Sequence, residues 1–256
     1  MSGYKETLIV PDVHGRDFWR KPVDDFLKEN KGNVIFLGDY VDPYSEEFPD
    51  GVDCGEIAFE TLKDIIELKK GNEDRVTLLL GNHDCGYIYG RDVCDCRTDR
   101  RRFYKIKSLF ISNIGEFKMA EEMYIEGERY IFSHSAITRK YIEYIFGEVE
   151  SENLVKTLNE KFAENDIGLI NTLGWVDSYR SQWSDIAPSF LWTDVRYVID
   201  RISDGKCTDL FDGFNIFGHT RLVKGKGPIA KDNFAMIDDM HCYVISGKDK
   251  VEKYTC

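Results

Sequence analysis

The sequence has 256 residues, of which 42% are hydrophobic and 31% charged, and it carries a formal net charge of −12. This length can form one large domain or two small ones around a substantial core, and the composition is ordinary for a soluble globular protein. The acidic balance argues against general binding to nucleic acid or anionic membranes. No apolar run approaches the roughly 18 residues of a transmembrane helix, and no secretory segment is recognisable, so we expect a cytoplasmic protein.

The seven cysteines include no CxxC pair, which disfavours a disulfide framework in a chain of this size. Cys85, Cys94 and Cys96 lie in one short segment. A structural zinc site needs a fourth ligand and closer pairing of its cysteines. We therefore favour ordinary loop thiols over a zinc site.

The first predicted strand covers residues 7–10 and is followed by Asp12 and His14 in the segment DVHG. Side chains two positions apart in an extended segment point to the same side, so both can reach one cation. A carboxylate together with an imidazole suits manganese, iron or zinc better than calcium. A single Asp-x-His pair is weak evidence, because the two residues are also common in turns.

A predicted helix over residues 17–30 leads into a second strand over residues 33–39, which completes a βαβ unit. Gly38 allows a sharp turn at the end of this strand, and Asp39 and Asp42 follow it. Carboxylates at the end of a buried parallel strand lie at the edge where open α/β sheets build their sites. For an isolated GDxxD segment, loop carboxylates that cap the next helix are an equally good interpretation.

The prolines and glycine of residues 43–53 predict a loop, and residues 55–70 predict a helix that stops at Gly71. A third buried strand over residues 75–80 is followed directly by GNHD at 81–84. Because the carboxyl ends of parallel strands meet at one edge of a sheet, we expect the polar residues after all three strands to converge.

Four of the five histidines follow predicted strands, at positions 14, 83, 134 and 219. His134 ends the strand 130–135 within SHS, and His219 ends the strand 215–220 within GHT. Any one of them alone is best interpreted as a hydrogen-bonded core residue. Together with the neighbouring carboxylates and amide, the set favours a dinuclear metal centre. His241 falls within a predicted late strand and is assigned a structural role.

The remaining segments are less specific. Residues 141–167 are helical in pattern, and residues 172–190 carry Trp175, Tyr179 and Trp183, which could stack on a nucleobase but more commonly pack in a core. Strands are predicted at 234–237, 243–246 and 251–255, at the antiparallel edge of a second sheet. We predict one domain over residues 1–256, with possible caps or inserts at about 85–110 and 141–190.

The segments DVHG, GDYVD, GNHD, SHS and GHT occur in this order and resemble the calcineurin-like metallophosphoesterases. More narrowly, they resemble the phosphoprotein-phosphatase type, which includes the symmetrical diadenosine tetraphosphatases. It extends from Asp12 to Asp239, and residues 190–194 (FLWTD) are similar to the LLWSD segment of that group. The resemblance implies an α/β fold in which two mixed β-sheets pack as a sandwich flanked by helices.

The resemblance also implies six metal ligands: Asp12 and His14 for the first metal, Asp39 between both metals, and Asn82, His134 and His219 for the second. The two divalent cations would be manganese in the first instance, with iron or zinc as alternatives. Cations about 3.5–4 Å apart would lower the pKa of a shared water, and the resulting bridging hydroxide would attack phosphorus. His83 would protonate the leaving oxygen, with Asp42 orienting its imidazole.

These features predict a metal-dependent phosphatase that acts on a phosphoprotein, a dinucleoside polyphosphate or another small phosphorylated metabolite. A phosphorylated substrate is the expected partner, and neither a membrane nor nucleic acid in general is expected. The alternative is a non-catalytic metal-binding scaffold or regulatory protein that retains the phosphatase fold.

Two departures from the family pattern favour that alternative. Pro43 and Leu80 stand where phosphoprotein phosphatases carry arginines that bind the substrate phosphate through paired hydrogen bonds. Replacement cations could come from the basic segment 91–107, which includes Arg91, Arg97 and residues 100–102, although most of these charges could equally lie on a solvated helix face. Outside this segment, the candidate substrate-binding residues are Arg196 and Arg221.

Overall fold

A computed structural model describes residues 6–90, 96–166, 188–247 and 251–255 of the chain. In chain order, its strands are β1 Glu6–Val10, β2 Gly32–Phe36, β3 Val76–Leu79, β4 Phe117–Lys118, β5 Ala120–Ile125, β6 Glu128–Ser133, β7 Ile202–Ser203, β8 Lys206–Cys207, β9 Phe214–Phe217, β10 Ile229–Lys231, β11 Phe234–Met236, β12 Tyr243–Ile245 and β13 Val251–Lys253. The described α-helices are α1 Arg20–Lys28, α2 Cys54–Lys70, α3 Asn82–Ile88, α4 Phe103–Ser112, α5 Arg139–Phe146, α6 Leu154–Ala163 and α7 Val195–Ile199. Short 3-10 helices occupy Ser45–Glu47, Ile114–Glu116 and Ser151–Asn153.

The strands form a six-stranded sheet of order β13-β12-β1-β2-β3-β4, a five-stranded sheet of order β10-β11-β9-β6-β5, and the hairpin β7-β8. In the first sheet β1 to β4 are parallel, whereas β12 and β13 are antiparallel additions. In the second sheet β6, β9 and β11 are parallel, and the two edge strands are antiparallel. Both sheets are mixed, which confirms the predicted fold class.

Alternating side chains of β1 divide the core between two layers, as expected for a strand whose successive residues face opposite ways. Leu8 and Val10 pack in the cluster that contains Val23 of α1 and Leu62 of α2. Ile9 packs in a second cluster with residues of the other sheet, such as Phe132. The first sheet therefore has helices on one face and the second sheet on the other.

Two predicted late strands belong to a different sheet from the one expected. The prediction assigned 234–237, 243–246 and 251–255 to the edge of the second sheet. Of these three strands only β11 belongs to that sheet, and it is an interior strand rather than an edge strand. β12 and β13 join the first sheet, where Val244 pairs with Leu8 of β1. A local apolar pattern identifies a strand but not its partner. His241 precedes β12 rather than lying within it, and its Nδ1 is 3.1 Å from the Asp239 carbonyl oxygen.

The segment predicted as one helical region over 141–167 contains two described helices, α5 and α6. Helix α5 ends at Gly147, whose φ of 74° lies in the left-handed region that glycine adopts readily. Residues 167–187, including Trp175, Tyr179 and Trp183, lie outside the described residues. The single domain and its possible caps or inserts stay predictions.

Candidate metal centre

Five strands end at one edge of the sandwich, and the polar residues that follow them converge there. Asp12 and His14 follow β1, Asp39 and Asp42 follow β2, Asn82 and His83 begin α3 directly after β3, and His134 and His219 follow β6 and β9. Seven of these eight residues are buried, and His219 is half-buried. The structure thus brings together all the residues predicted as metal ligands or as the catalytic pair.

Close packing of two glycines allows the β2 and β3 ends to meet. Gly38 has a φ of 105°, and a Cβ atom there would lie 2.4 Å from the Gly81 nitrogen. A Cβ at Gly81 would lie 2.1 Å from Asp39 Oδ1. Neither position tolerates a side chain, so both glycines are needed to place the Asp39 carboxylate at the start of α3.

Four of the converging residues have a left-handed backbone although none is glycine. The φ angles are 46° for His14, 52° for Asp39, 57° for Asp42 and 67° for His219. This conformation is uncommon for residues with a side chain, and such strain is concentrated at functional sites. Hydrogen bonds from the backbone N–H of His14 to the Asp39 carbonyl, at 2.7 Å, and from Gly218 to the His134 carbonyl, at 2.8 Å, help to hold these loops.

The Asp39 carboxylate lies between two imidazoles. Its Oδ2 atom is 3.5 Å from His14 Nε2 and 3.6 Å from His134 Nε2. His14 Nδ1 donates to the Val41 carbonyl at 2.8 Å, and His134 Nδ1 donates to the Leu37 carbonyl at 3.0 Å. Because a carbonyl can only accept, the neutral rings present Nε2 lone pairs toward Asp39. Metal-binding histidines are commonly oriented by such a bond from the second nitrogen.

A second group of polar atoms lies close together with too few protons for a hydrogen bond between every pair. Asn82 Oδ1 is 2.9 Å from His134 Nε2, and His219 Nδ1 is 3.2 Å from both atoms. With Nδ1 bonded to the Leu37 carbonyl, His134 Nε2 is an acceptor and so is the amide oxygen, and a bound cation would turn the two facing acceptors into a pair of ligands. Two imidazole nitrogens and an oxygen are a suitable donor set for a divalent transition metal.

Burial makes the charged state of this centre costly. It raises the pKa of Asp39 well above the usual range, and the nearby carboxylate of Asp12 raises it further. Burial also lowers the pKa of His134 and of His219 to about 3, so both rings are neutral near pH 7. Metal ions bind neutral imidazoles and ionised carboxylates. A divalent cation would relieve the repulsion among the crowded carboxylates and so favour their ionised form. The residues present therefore fit a metal centre.

Asp84 organises the turns around the centre rather than facing it. Its carboxylate accepts hydrogen bonds from the backbone N–H of Asp39 at 2.7 Å, Tyr40 at 3.0 Å and Gly81 at 2.9 Å. Burial raises the pKa of Asp84 to about 7. No role was predicted for this last residue of GNHD, because two of its three partners follow a different strand.

His83 and Asp42 form a buried pair beside the metal ligands. His83 Nδ1 is 2.8 Å from Asp42 Oδ2, and the Tyr87 hydroxyl donates to Asp42 Oδ1. The same hydroxyl accepts from the backbone N–H of Asp99 at 2.6 Å. This series of hydrogen bonds fixes the His83 ring through Asp42 and leaves its Nε2 atom available to a substrate. Tyr87 was missed, although its position four residues after His83 on one helix face was a usable signal.

Cys96 lies close to this pair. Its ligand atom and those of Asp42 and His83 are all within 4.8 Å of one another, and its thiol also contacts the Asn82 carbonyl at 3.4 Å. Cys85 is buried elsewhere in the core, and Cys94 lies outside the described residues. In the part of the chain that the structure describes, no group of candidate metal ligands combines Cys85 with Cys96.

Three guanidinium groups surround Tyr44 at the edge of the centre, and we call Arg16, Arg97 and Arg221 the arginine rim. Their central carbons lie 5.6, 3.7 and 4.4 Å from the Tyr44 ring centre, respectively. The Tyr44 ring is in turn 5.0 Å from the ring of His14. The rim therefore borders the predicted ligands. Arg16 was missed, although it directly follows DVHG.

The rim residues are held in different ways. Arg16 Nε donates to Glu47 Oε2 at 2.6 Å, and Arg221 donates to the other oxygen of the same carboxylate. Arg97 Nη2 instead donates to the Asp42 carbonyl at 2.8 Å, so its guanidinium lies next to Pro43. An arginine from another segment thus occupies the neighbourhood of a missing family arginine.

The other predicted positions give a contrasting picture. Leu80 is fully buried in the helix-side core, so this position offers no substitute for the absent family arginine. Arg196 donates from Nε and Nη2 to both oxygens of Asp194, at 2.9 and 2.8 Å, and is exposed. Arg102 is bound by the carboxylates of Asp53, Glu56 and Asp99. Arg91 lies outside the described residues.

The two mixed sheets and the cluster of carboxylates, imidazoles and an amide at their edge define the metallophosphoesterase class of hydrolase. The sequence profile of the calcineurin-like phosphoesterases matches residues 6–221, and the chain belongs to this family. Members of this family are metal-dependent phosphoesterases, and the residues at the sheet edge are of the kind that binds metal.

Two solved structures with similar folds are both phosphatases. A serine/threonine phosphatase from Saccharomyces cerevisiae, with similarity to human phosphatase PP5, is 15% identical and has a TM-score of 0.51, covering 100% of this chain and 81% of that one. A mutant cold-active protein tyrosine phosphatase is 16% identical and has a TM-score of 0.51, covering 98% and 78%. At these identities, the likeness concerns the fold. No curated protein sequence matches the chain.

The described residues contain no helix that is both long enough and apolar enough to cross a membrane.

Proposed function

We propose that this phosphatase uses two divalent metal ions to hydrolyse a phosphoester. The carrying observation is the set of facing acceptor atoms, above all His134 Nε2 and Asn82 Oδ1 at 2.9 Å. Both belong to neutral groups, and the orientation of His134 is fixed by its bond to the Leu37 carbonyl. A bound cation would turn these facing acceptors into an ordinary ligand set.

The proposed ligands fall into two groups that share Asp39. Asp12 and His14 belong to the first group, and Asn82, His134 and His219 to the second. The position of Asp39 Oδ2, between His14 Nε2 and His134 Nε2, supports its role as the shared ligand. Manganese is the first choice, and iron or zinc suits the same imidazole and carboxylate donors. When bound, the ions would supply Lewis-acid activation of water and neutralise charge on the phosphoryl oxygens.

His83 is the proposed general acid. The Asp42 carboxylate stabilises its imidazolium form and fixes the proton on Nδ1, so that Nε2 can deliver a proton to the leaving oxygen. Tyr87 holds the other oxygen of Asp42 and keeps the carboxylate from rotating. The buried site limits access of water to this pair.

The arginine rim is the proposed replacement for the two absent family arginines. Arg97 is the strongest candidate, because no carboxylate pairs with it among the described residues and its guanidinium stacks on Tyr44. Planar guanidinium groups bind phosphate through paired hydrogen bonds. Arg221 shares Glu47 with Arg16 and would contribute mainly through its charge.

The substrate remains a choice between a phosphoprotein and a dinucleoside polyphosphate or other small phosphorylated metabolite. Location in the cytoplasm also stays a prediction. The second candidate function is a metal-binding scaffold without turnover, which the absence of arginine at Pro43 and Leu80 favours. The hydrogen-bonded His83–Asp42 pair argues against it, because a scaffold has no need of a proton donor.

The decisive experiment compares wild type with Asp39→Asn in hydrolysis of p-nitrophenyl phosphate, after metal removal and again after manganese is added. We expect wild-type turnover to return with manganese and the variant to stay at least about a thousandfold lower, because the shared ligand is weakened. The number of bound metal ions, measured on the same samples, should be two for wild type.

Thermal unfolding provides a second readout. Without metal, Asp39→Asn should unfold at a higher temperature than wild type, because it removes one of several crowded buried carboxylates. With manganese at a hundredfold excess over the dissociation constant, each site adds about 2.7 kcal/mol to wild-type stability, and the order should reverse. Two bound metals with no turnover would favour the scaffold, and one bound metal would contradict the dinuclear proposal.

A further inference from the structure

A cavity of about 420 Å³ has Asp42 of the proposed acid pair in its wall and none of the proposed metal ligands. Its wall consists of Asp42 and Pro43, the start of α2 at residues 53–55, and residues 97–102. We call it the arginine cavity, because four of the lining residues are arginines and none is lysine.

The carboxylates of this wall already have partners. Asp42 binds His83 and Tyr87, whereas Asp53 and Asp99 both bind Arg102. Acidic residues therefore offer the cavity little uncompensated negative charge. A cation that enters it would also meet the guanidinium groups, so the cavity is suited to an anion.

Arg102 fixes the segment 97–102 against α2. Besides Asp53 and Asp99, it donates from Nε to Glu56 at 2.6 Å. Gly55 permits this close approach, since a Cβ there would lie 2.5 Å from Asp99 Oδ2 and 2.8 Å from Arg102 Nη1. The cavity wall is thus a packed structure rather than an accidental gap between loops.

The neighbouring Arg100 and Arg101 are exposed, and neither side chain has an ion pair or hydrogen bond within the described residues. Both residues line the cavity, and neither guanidinium group is paired with a carboxylate among the described residues. The Thr98 hydroxyl in the same wall is buried and also lacks a partner among the described residues. Buried hydroxyls are normally hydrogen-bonded, so this one is consistent with an oxygen acceptor that is supplied from outside.

We propose that the arginine cavity binds a second phosphate group, carried by the leaving group of the substrate. This inference rests on the proposed function, because it takes His83 as the donor to the leaving oxygen. Asp42 joins the two sites, since its carboxylate orients His83 and its backbone carbonyl binds Arg97. Arginine without lysine favours phosphate, whose oxygens match the guanidinium fork.

A binding measurement tests the cavity independently of turnover. The full-length protein is titrated with inorganic pyrophosphate in a calorimeter, without added divalent cation. The test variant is Arg100→Gln/Arg101→Gln, and the matched control is Lys206→Gln/Lys231→Gln, which removes two exposed positive charges from a separate cavity. We expect wild type and control to bind equally, and the test variant to bind about tenfold more weakly.

The outcomes are distinct. Absence of pyrophosphate binding, or equal affinity in all three proteins, would overturn the proposal whether or not the enzyme turns over substrate. The side chains concerned have no described partners, so an unchanged unfolding temperature should accompany the loss of affinity. A weakening in the control alone would also overturn the proposal, because it would locate the anion in the other cavity.

Kinetics with manganese-loaded enzyme then tests the leaving-group role. The ratio of kcat/KM for a doubly phosphorylated substrate to that for p-nitrophenyl phosphate should fall about tenfold in the test variant and not in the control. Adenosine triphosphate represents a phosphate chain, and a sugar bisphosphate represents a second, separate phosphoester. A fall with either compound supports the proposal and identifies the source of the phosphate. Unchanged ratios with both overturn the leaving-group role even if pyrophosphate binds.

Discussion

The predicted metal ligands and the arginine rim lie side by side, but they are held by different kinds of interaction. The ligands are buried on short loops whose backbones are fixed by hydrogen bonds, tight glycine contacts and the carboxylate of Asp84. The rim residues come from three separate segments, and Arg97 and Arg221 are exposed, whereas Arg16 is buried. Glu47 holds Arg16 and Arg221, whereas Arg97 depends on one backbone carbonyl and the Tyr44 ring.

This difference separates the residues proposed for the chemical step from those proposed to bind the substrate. The strained backbone at His14, Asp39, Asp42 and His219 persists only where the surrounding structure enforces it, so the centre cannot vary without cost to the fold. Surface ion pairs contribute little to stability, and the positions that carry them can change freely. The approach of Arg97 from another segment to the neighbourhood of Pro43, where the family arginine is absent, is such a change.

The largest effect is expected from His83→Ala, which removes the proposed acid but no proposed ligand. We expect kcat to fall by about 10²- to 10⁴-fold, the usual contribution of a positioned acid. The loss should be greater for phenyl phosphate than for p-nitrophenyl phosphate, because the poorer leaving group needs the proton more. Steady-state kinetics with manganese and a count of bound metals make the measurement.

Asp42→Asn is the companion variant, since it keeps the shape of the pair and removes the charge that stabilises the imidazolium. It should show the same dependence on leaving group with a smaller loss. Activity of His83→Ala equal to that of wild type would contradict the assignment of the acid.

Asp84→Ala should have the next largest effect, this time on stability. Three buried backbone N–H groups would lose their common acceptor, which costs at least roughly 3 kcal/mol in the free energy of unfolding. Because these groups shape the turns that carry Asp39, manganese affinity should fall as well. Urea unfolding and metal titration measure the two effects.

Asp25→Ala is the matched control, because among the described residues the Asp25 carboxylate on α1 pairs with Lys21 alone, in an exposed bridge. Its effect on stability should stay within about 0.5 kcal/mol. Similar losses in both variants would mean that the Asp84 network is not special.

The contrast also explains what could be predicted from the sequence. The ligand positions are recognisable because each lies just after a short apolar strand, in most cases next to a glycine or proline, so local pattern and strand topology suffice. The role of Asp84 is not recognisable, because its partners Asp39 and Tyr40 come from the end of another strand. Likewise, β12 and β13 were identified as strands but assigned to the wrong sheet, because pairing is decided by the whole fold.

The rim was less predictable for a physical reason. Arg97 reaches the site because Arg102, five residues later, anchors its segment to the carboxylates of Asp53 and Glu56 at the start of α2. Such an anchor depends on contacts between distant segments, which charge content alone does not indicate. The basic segment therefore suggested an anion site without identifying the arginine that borders the metal ligands.

Arg97→Gln measures the importance of that residue directly. We expect KM for p-nitrophenyl phosphate to rise about tenfold, because a charged hydrogen-bond donor to the phosphate is lost, with a smaller effect on kcat. Arg97 also binds the Asp42 carbonyl and contacts Tyr44, so the unfolding temperature of the variant is measured as a control for damage to the local structure. A KM within twofold of the wild-type value would exclude Arg97 from the phosphate site.

The smallest effects should distinguish the two arginines predicted from sequence. Arg221 stacks on Tyr44 beside His14, whereas Arg196 on α7 is exposed and bound by both oxygens of Asp194. Arg221→Gln should therefore raise KM about threefold, as expected for a partly neutralised charge near the phosphate, and Arg196→Gln should change it less than twofold. Raising the salt concentration should reduce the difference, because screening weakens a charge effect more than a direct bond. If Arg196→Gln has the larger effect, substrate must displace Asp194 from Arg196, and the substrate phosphate is bound on the α7 side of the centre rather than at the rim.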